Sequence, residues 1–136
     1  MWSAGLIGVA LWFFLIPFGI TVHYLAKDRG LHRAGGSAFA FAWHKKLSPR
    51  YERYAEERVA SGLAASVDTY DIAGTEWPLF GSVFYLWATS QLQASWDANP
   101  SLSKQAPRDY GRAAIEAATA LVLDDKHATW VKDHWG

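Results

Sequence analysis

The chain has 136 residues, of which 51% are hydrophobic and 15% aromatic, and its 13 basic and 13 acidic residues cancel. This length fits one modest domain, and the apolar fraction excludes a disordered chain. Zero net charge argues against nucleic acid as a partner, because nucleic-acid-binding proteins carry a basic excess. The absence of cysteine excludes disulfides, thiol nucleophiles and cysteine-ligated metal centres.

Residues 1–26 are predicted to be a transmembrane anchor. Residues 2–26 contain no Asp, Glu, Lys or Arg, and about 20 helical residues cross a hydrocarbon core. A signal peptide would begin with a base and carry a shorter apolar stretch. Pro17 should kink the helix, which membrane helices tolerate. Trp2 and Tyr24 lie near its two ends, where such rings favour the membrane interface.

A basic segment follows the anchor and sets its expected orientation. Five bases lie within about 20 residues of the helix end, opposed only by Asp28. These bases are Lys27, Arg29, Arg33, Lys45 and Lys46. The positive-inside bias predicts a single-pass protein of the cell membrane whose C-terminal body faces the cytoplasm. Residues 27–47 are interpreted as a juxtamembrane connector, with Phe39, Phe41 and Trp43 on the bilayer surface.

Residues 48–136 are predicted to form an all-α body. Ser48 followed by Pro49 is typical of a helix start, so the first body helix should run from about Pro49 to about Ser66. At helical spacing, its core side comprises Tyr51, Tyr54, Ala55, Val59 and Leu63.

The second body helix is expected from about Pro78 to Trp96. It is interpreted as buried on most sides because it is apolar nearly all round at its start. Its apolar side chains are Leu79, Phe80, Val83, Phe84, Leu86, Trp87 and Leu92. A second membrane span remains an alternative, although the fully apolar part is short for one.

A third helix is expected from Pro107 to about Leu123, after a turn over residues 97–106. Alanines at helical spacing give it a small-residue face suited to close packing. Asp124 and Asp125 lie at its C-terminal end, where acids oppose the helix dipole. We therefore expect them to serve a loop or to cap the next segment, a short amphipathic piece from Lys126 to Trp135.

The loop before the second body helix holds the candidate catalytic side chains, Tyr70, Asp71 and Glu76. A phenol and two carboxylates at a pocket rim could act as acid, base or hydrogen-bonding groups. Alternatively, Glu76 only caps the N-terminus of the helix that follows.

The five histidines lack the spacing of paired metal ligands on one helix and are expected at the surface or as caps. They are His23, His32, His44, His127 and His134. A haem held by His23 or His44 has no other support, and we expect neither a metal nor a cofactor.

Several features between Gly74 and Trp135 have counterparts in a known family. The segment 75–78 (TEWP) opens an aromatic helix that contains FYLW at 84–87, and the turn Asn99-Pro100 follows at a matching spacing. A helix from Tyr110 to Val122 then leads into WVKDHWG at 130–136. In this pattern, somewhat under half of the chain resembles the first part of the catalytic domain of linalool dehydratase/isomerase-like proteins.

This resemblance implies an (α/α)₆ barrel that hydrates, dehydrates or isomerises small unsaturated alcohols without a cofactor. The body would supply only the first helical hairpins of a ring of about twelve helices. The family's catalytic histidine and cysteines have no counterpart here, so the resemblance assigns no catalytic residue.

Two functions from different classes follow. The first is the membrane-anchored N-terminal part of such a hydro-lyase or isomerase, inactive alone. The remainder of a longer chain or a homo-oligomer would complete it, and its substrate would be small and hydrophobic. The second is a non-enzymatic single-pass subunit whose tryptophan-rich helices dock on a larger membrane complex.

Overall fold

The computed structural model describes residues 8–9, 11–27, 37–65, 71, 73–74 and 76–135, and every regular element among them is helical. A π-helical turn, Leu11–Leu15, continues into α1 (Ile16–Lys27). The body comprises α2 (Ala38–Ser61), α3 (Glu76–Ala98), α4 (Pro107–Tyr110), α5 (Arg112–Val122) and α6 (Asp125–Trp135). Two 3₁₀ turns, Leu63–Ala65 and Pro100–Leu102, lie between these helices. The all-α prediction is confirmed for these residues.

The apolar N-terminal segment is a helix with every described side chain exposed from Leu11 to Lys27. Pro17 has no N–H to donate to the carbonyl of Phe13, and the wider π-helical turn lies just before it. The expected disturbance by Pro17 therefore takes the form of a π-helical turn. No helix in the described part of the chain is both long enough and apolar enough to cross a membrane.

The first body helix begins earlier than the sequence predicted. Its N-cap is Ser37, whose side-chain oxygen accepts hydrogen bonds from the backbone N–H groups of Phe39 and Ala40 at 3.1 and 3.3 Å. The predicted start at Pro49 is wrong, because Pro49 lies inside α2. Phe41, interpreted as a bilayer-surface residue, is instead buried in the body at 2% exposure.

The Ser48 side chain has a different role from the predicted N-cap. Its hydroxyl donates to the carbonyl oxygen of His44, one turn earlier, at 2.8 Å. The helix ends at Ser61, where Gly62 takes a left-handed backbone conformation with φ of 63°. On the predicted core side, Ala55 is buried, whereas Tyr54 and Leu63 are exposed.

The centre of the body is α5, which packs against both α2 and α3. Its small-residue face is confirmed, since Ala114, Ala117, Ala118 and Leu121 are all buried. The predicted third helix is broken once, at Gly111 between α4 and α5. A side chain there would lie 2.8 Å from the Pro107 carbonyl oxygen and 3.1 Å from the Tyr85 hydroxyl. Glycine therefore permits the close approach of this break to α3.

Candidate functional site

The sequence predicted that the apolar residues of α3 would be buried, but the structure buries mainly its hydroxyl-bearing residues and exposes most of the large apolar ones. The buried residues are Pro78, Ser82, Tyr85 and Thr89, which recur at helical spacing on the side that meets α5. The prediction that α3 is buried on most sides is wrong. The alanine face of α5 leaves room for the ring of Tyr85, which packs on Ala114 and Ala118.

The large apolar residues of α3 lie on its exposed side. We call Trp77, Phe80, Val83, Phe84 and Trp87 the aromatic face. Their exposed fractions lie between 48% for Val83 and 70% for Trp77. Soluble proteins rarely expose a contiguous apolar patch of this kind unless it binds something. The aromatic face is therefore the first candidate functional surface.

The buried side of α3 belongs to a set of hydrogen-bonded side chains that we call the polar seam. It comprises His44, Ser48, Tyr51, Ser82, Tyr85, Thr89 and Tyr110. These residues come from α2, α3 and α4, so the seam joins three helices. The ring of Tyr85 is stacked between His44 and Tyr51, with centroid distances of 5.0 and 4.7 Å.

The hydrogen bonds fix the tautomer of His44. The single hydroxyl proton of Thr89 is donated to the Tyr85 carbonyl oxygen at 2.7 Å. Thr89 Oγ1 must therefore accept the bond at 2.8 Å from His44 Nε2, which carries the ring proton. His44 Nδ1 then accepts from the Tyr110 hydroxyl at 3.0 Å.

The same reasoning fixes the other half of the seam. The Ser48 proton is committed to the His44 carbonyl oxygen, so Ser48 Oγ accepts the hydroxyl proton of Tyr85 at 2.8 Å. The Tyr51 and Ser82 hydroxyls pair with each other, also at 2.8 Å. Each side chain of the seam thus has a partner within it.

Burial shifts the pKa values of the seam toward neutral forms. It lowers the pKa of His44 below the ordinary 6.5 and raises the pKa of Tyr110 to about 12. Both ring nitrogens of His44 are already hydrogen-bonded, so neither offers a lone pair to an iron or zinc ion. The expectation that His44 lies at the surface or serves as a cap is wrong.

A second buried histidine ties three segments together. Arg58 Nε donates to His127 Nε2 at 3.2 Å, so the ring proton lies on Nδ1 and is donated to Asp124 Oδ2 at 2.6 Å. Another Arg58 nitrogen donates to the Gly74 carbonyl oxygen. His127 is only 1% exposed, so its expected surface position is also wrong.

The acid at the start of α6 has the capping role that the sequence predicted. Burial raises the pKa of Asp124, but hydrogen bonds from the His127 side chain and from the backbone N–H groups of Lys126 and His127 outweigh it, and the net shift is downward. Asp124 is thus stabilised as a carboxylate at the N-terminus of α6.

The predicted catalytic loop is described only in part. Tyr70 lies outside the described residues. Asp71 is exposed, and its Oδ1 accepts from the Gly74 N–H at 3.1 Å. Glu76 is half-buried and is the first residue of α3, where the helix dipole stabilises a carboxylate. The structure therefore does not show whether these three side chains meet.

Neither these side chains nor the histidines make a metal centre in the part of the chain that the structure describes. There, no group of three or more His, Cys, Asp or Glu side chains is arranged to hold an ion. No family model matches the sequence, and neither the curated proteins nor the solved structures contain a match.

Proposed function

We propose that this chain is the membrane-attached N-terminal portion of a linalool dehydratase/isomerase-like protein, and that it is not a catalyst by itself. The aromatic face is the observation that carries the proposal. In a ring of helical hairpins, a helix needs partners on both sides. In this chain one side of α3 packs on α5, and the other presents Trp77, Phe84 and Trp87 to solvent.

The attachment part of the proposal is supported by α1 and the turn before it. Trp12, Phe14 and Phe18 are 66% to 73% exposed, and Tyr24, near the C-terminal end of α1, stacks on Phe39 of the body. Removing such side chains from water releases about 25 cal/mol for each square ångström that is buried. A lipid bilayer would cover the side of this surface that faces away from α2, and the basic residues after it favour a cytoplasmic body.

The lack of independent activity is supported by the polar seam. General acid and base catalysts must reach a substrate, and must have protons to give or lone pairs to receive them. The seam is a buried cluster of titratable side chains, and the protons of His44, Ser48, Tyr85, Thr89 and Tyr110 are all donated within it or to two carbonyl oxygens. Further helices would have to supply the catalytic groups.

Photo-cross-linking in cells that make the protein tests the docking role of the aromatic face. A photoreactive phenylalanine analogue replaces Phe84, and a matched control replaces Ala94, which is exposed later on α3. We expect position 84 to cross-link to further helices of the same polypeptide or to a second copy. A cross-link to a separate membrane protein would support the alternative, a non-enzymatic subunit. Equal yields at 84 and 94 would contradict both.

A labelling experiment tests the membrane topology. Ser101 is exposed in the turn after α3, and Ser101→Cys introduces the only thiol of the chain. A reagent that cannot cross membranes should label this cysteine only after the cells are opened. Labelling in intact cells would overturn the cytoplasmic placement.

A turnover assay tests the lack of independent activity. The purified chain in neutral detergent should yield no product from small unsaturated terpene alcohols above background, as followed by gas chromatography. Turnover that disappears in Asp71→Asn or Glu76→Gln would make the loop before α3 an active site and would overturn this part of the proposal.

A further inference from the structure

A cleft opens between α1 and α2 and is closed at one end by an aromatic contact. Tyr24 stacks on Phe39 with their ring centroids 5.9 Å apart. From this contact the cleft extends toward Pro17 on α1 and toward Arg50 on α2. Its volume is about 930 Å³, at the upper end of the range for small-molecule sites.

The two walls of the cleft are apolar along most of their length. Ile20 and Pro17 line the α1 side, and Trp43 and Leu47 line the α2 side. Trp43 is 64% exposed, and Leu47 is 47% exposed, although both are large hydrophobic residues. An apolar occupant would remove both side chains from water.

The α2 wall of the cleft carries positive charge, and the α1 wall does not. Lys46 and Arg50 lie one turn apart on α2, and both line the cleft. None of the described lining residues is acidic, so this pair of cations faces the cleft with no carboxylate in its lining. An apolar space with two cations on one wall is complementary to a molecule with hydrocarbon tails and an anionic head.

We infer that this cleft binds one molecule of an anionic phospholipid. The acyl chains lie between α1 and α2 against Trp43 and Leu47, and the phosphate pairs with Lys46 and Arg50. Arginine and lysine are the side chains that bind phosphate, and each basic residue near an anionic lipid surface strengthens binding by about fivefold. The inference rests on the proposed membrane attachment and names the lipid class for which the body is selective.

Native mass spectrometry of the full chain in neutral detergent tests the inference. Phosphatidylglycerol and phosphatidylcholine with identical acyl chains are titrated separately. We expect the wild-type chain to bind one phosphatidylglycerol about 30-fold more tightly than phosphatidylcholine, since two basic residues act together. Equal binding of the two lipids would overturn the inference.

Two charge-matched double variants separate the cleft from general surface charge. Lys46→Gln with Arg50→Gln removes the two cleft cations. Arg53→Gln with Lys104→Gln removes two exposed bases outside the cleft. The first variant should lose the preference for phosphatidylglycerol, and the second should keep it. Equal losses would show that only net charge matters, and circular dichroism confirms that both variants fold.

Three further measurements identify the occupant and separate the two proposals. Trp43→Ser should weaken the binding of phosphatidylglycerol and of phosphatidylcholine by a similar factor, because it removes part of the apolar wall. Soluble glycerol phosphate should not displace the lipid, and displacement would mean that the site binds free phosphate instead.

Flotation with neutral vesicles reports on membrane attachment alone. A chain that floats without lipid selectivity refutes only the present inference, whereas a chain that does not float refutes the membrane attachment.

Discussion

The two sides of α3 show that hydrophobicity and burial are separate properties of a residue. The buried side carries Ser82, Tyr85 and Thr89, each at most 5% exposed, and the outer side carries tryptophans that are 63% and 70% exposed. The buried side is polar because α5 approaches with alanines, and the hydroxyls find partners within the narrow space. The outer side is apolar, and we propose that its partner is another helix.

We therefore expect the polar seam to stabilise the body and, on the proposal above, the aromatic face to bind a partner. Buried polar groups are tolerated only when they are hydrogen-bonded, and a network that satisfies all its members specifies one packing arrangement. Substitutions in the seam should therefore lower the free energy of unfolding. Substitutions in the aromatic face should leave it nearly unchanged and alter association instead.

The largest effect is expected for Tyr85→Ala. This change removes the ring that is stacked between His44 and Tyr51, and it takes away the donor to Ser48. Truncation of a large buried aromatic residue costs about 3–5 kcal/mol. Urea unfolding of the full chain in neutral detergent, followed by circular dichroism, measures this cost. A loss below about 1 kcal/mol would show that the seam is not the centre of the body.

A smaller loss is expected for Thr89→Val, which preserves the shape of the side chain but leaves the N–H of His44 without its acceptor. An unpaired buried donor costs about 1–3 kcal/mol. Ser90→Val is the matched control, because Ser90 follows Thr89 on α3 and is exposed. This substitution should change the unfolding free energy by less than about 0.5 kcal/mol. Similar losses in both variants would contradict the proposed hydrogen bond.

Acid should destabilise the body in a way that depends on His44. Burial lowers the pKa of His44 in the folded state below 6.5, so the unfolded chain binds the proton more readily. The resulting stability is fully present above pH 6.5 and is lost as the pH falls from there through the folded pKa. Urea unfolding between pH 7.5 and 5 should therefore show a declining unfolding free energy.

A histidine substitution tests whether His44 causes this decline in the unfolding free energy. His44→Gln should flatten the decline, because it removes the buried imidazole. The pKa of the Asp124 carboxyl is lowered in the folded state, so this group adds a second loss of stability as the pH falls below the ordinary 3.8. A decline that persists unchanged in His44→Gln would place the titrating group elsewhere.

The smallest change in stability is expected for Trp87→Ala. The apolar pattern of α3 alone assigns this tryptophan to the core, which would imply a cost of about 3–5 kcal/mol. At 63% exposure the expected cost falls below about 1 kcal/mol. Sedimentation velocity should show weaker association of the variant, because the aromatic face has lost one of its two tryptophans. A core-sized loss of stability with unchanged association would reverse the assignment of the two faces.

The parts of the fold that the sequence predicted are those governed by local rules. On the predicted small-residue face of α5, Ala114, Ala117 and Ala118 are buried as their helical spacing predicts, whereas Ala113 is exposed. The acids after α5 oppose its dipole, and Asp124 caps the next helix as expected. Glu76 lies in the first turn of α3, where a carboxylate favours the helix dipole, although the helix was predicted to begin only at Pro78.

The errors arose where tertiary contacts changed the meaning of a local signal. Ser48 and Pro49 are typical of a helix start, but Ser37 already caps the helix and the Ser48 hydroxyl bonds to His44. The polar residues Ser82, Tyr85 and Thr89 also recur at helical spacing. Together with the small face of α5, this recurrence is the signal that could have identified the seam.

The part of the seam around His44 and Tyr85 has a fixed direction of hydrogen bonding. Its polarity is set by two backbone carbonyl oxygens, those of His44 and Tyr85, which accept the hydroxyl protons of Ser48 and Thr89. Each of these two series of hydrogen bonds ends at a carbonyl oxygen, whereas the Tyr51–Ser82 pair lies outside both. The tautomer of His44 is consequently locked for as long as α2, α3 and α4 stay in contact.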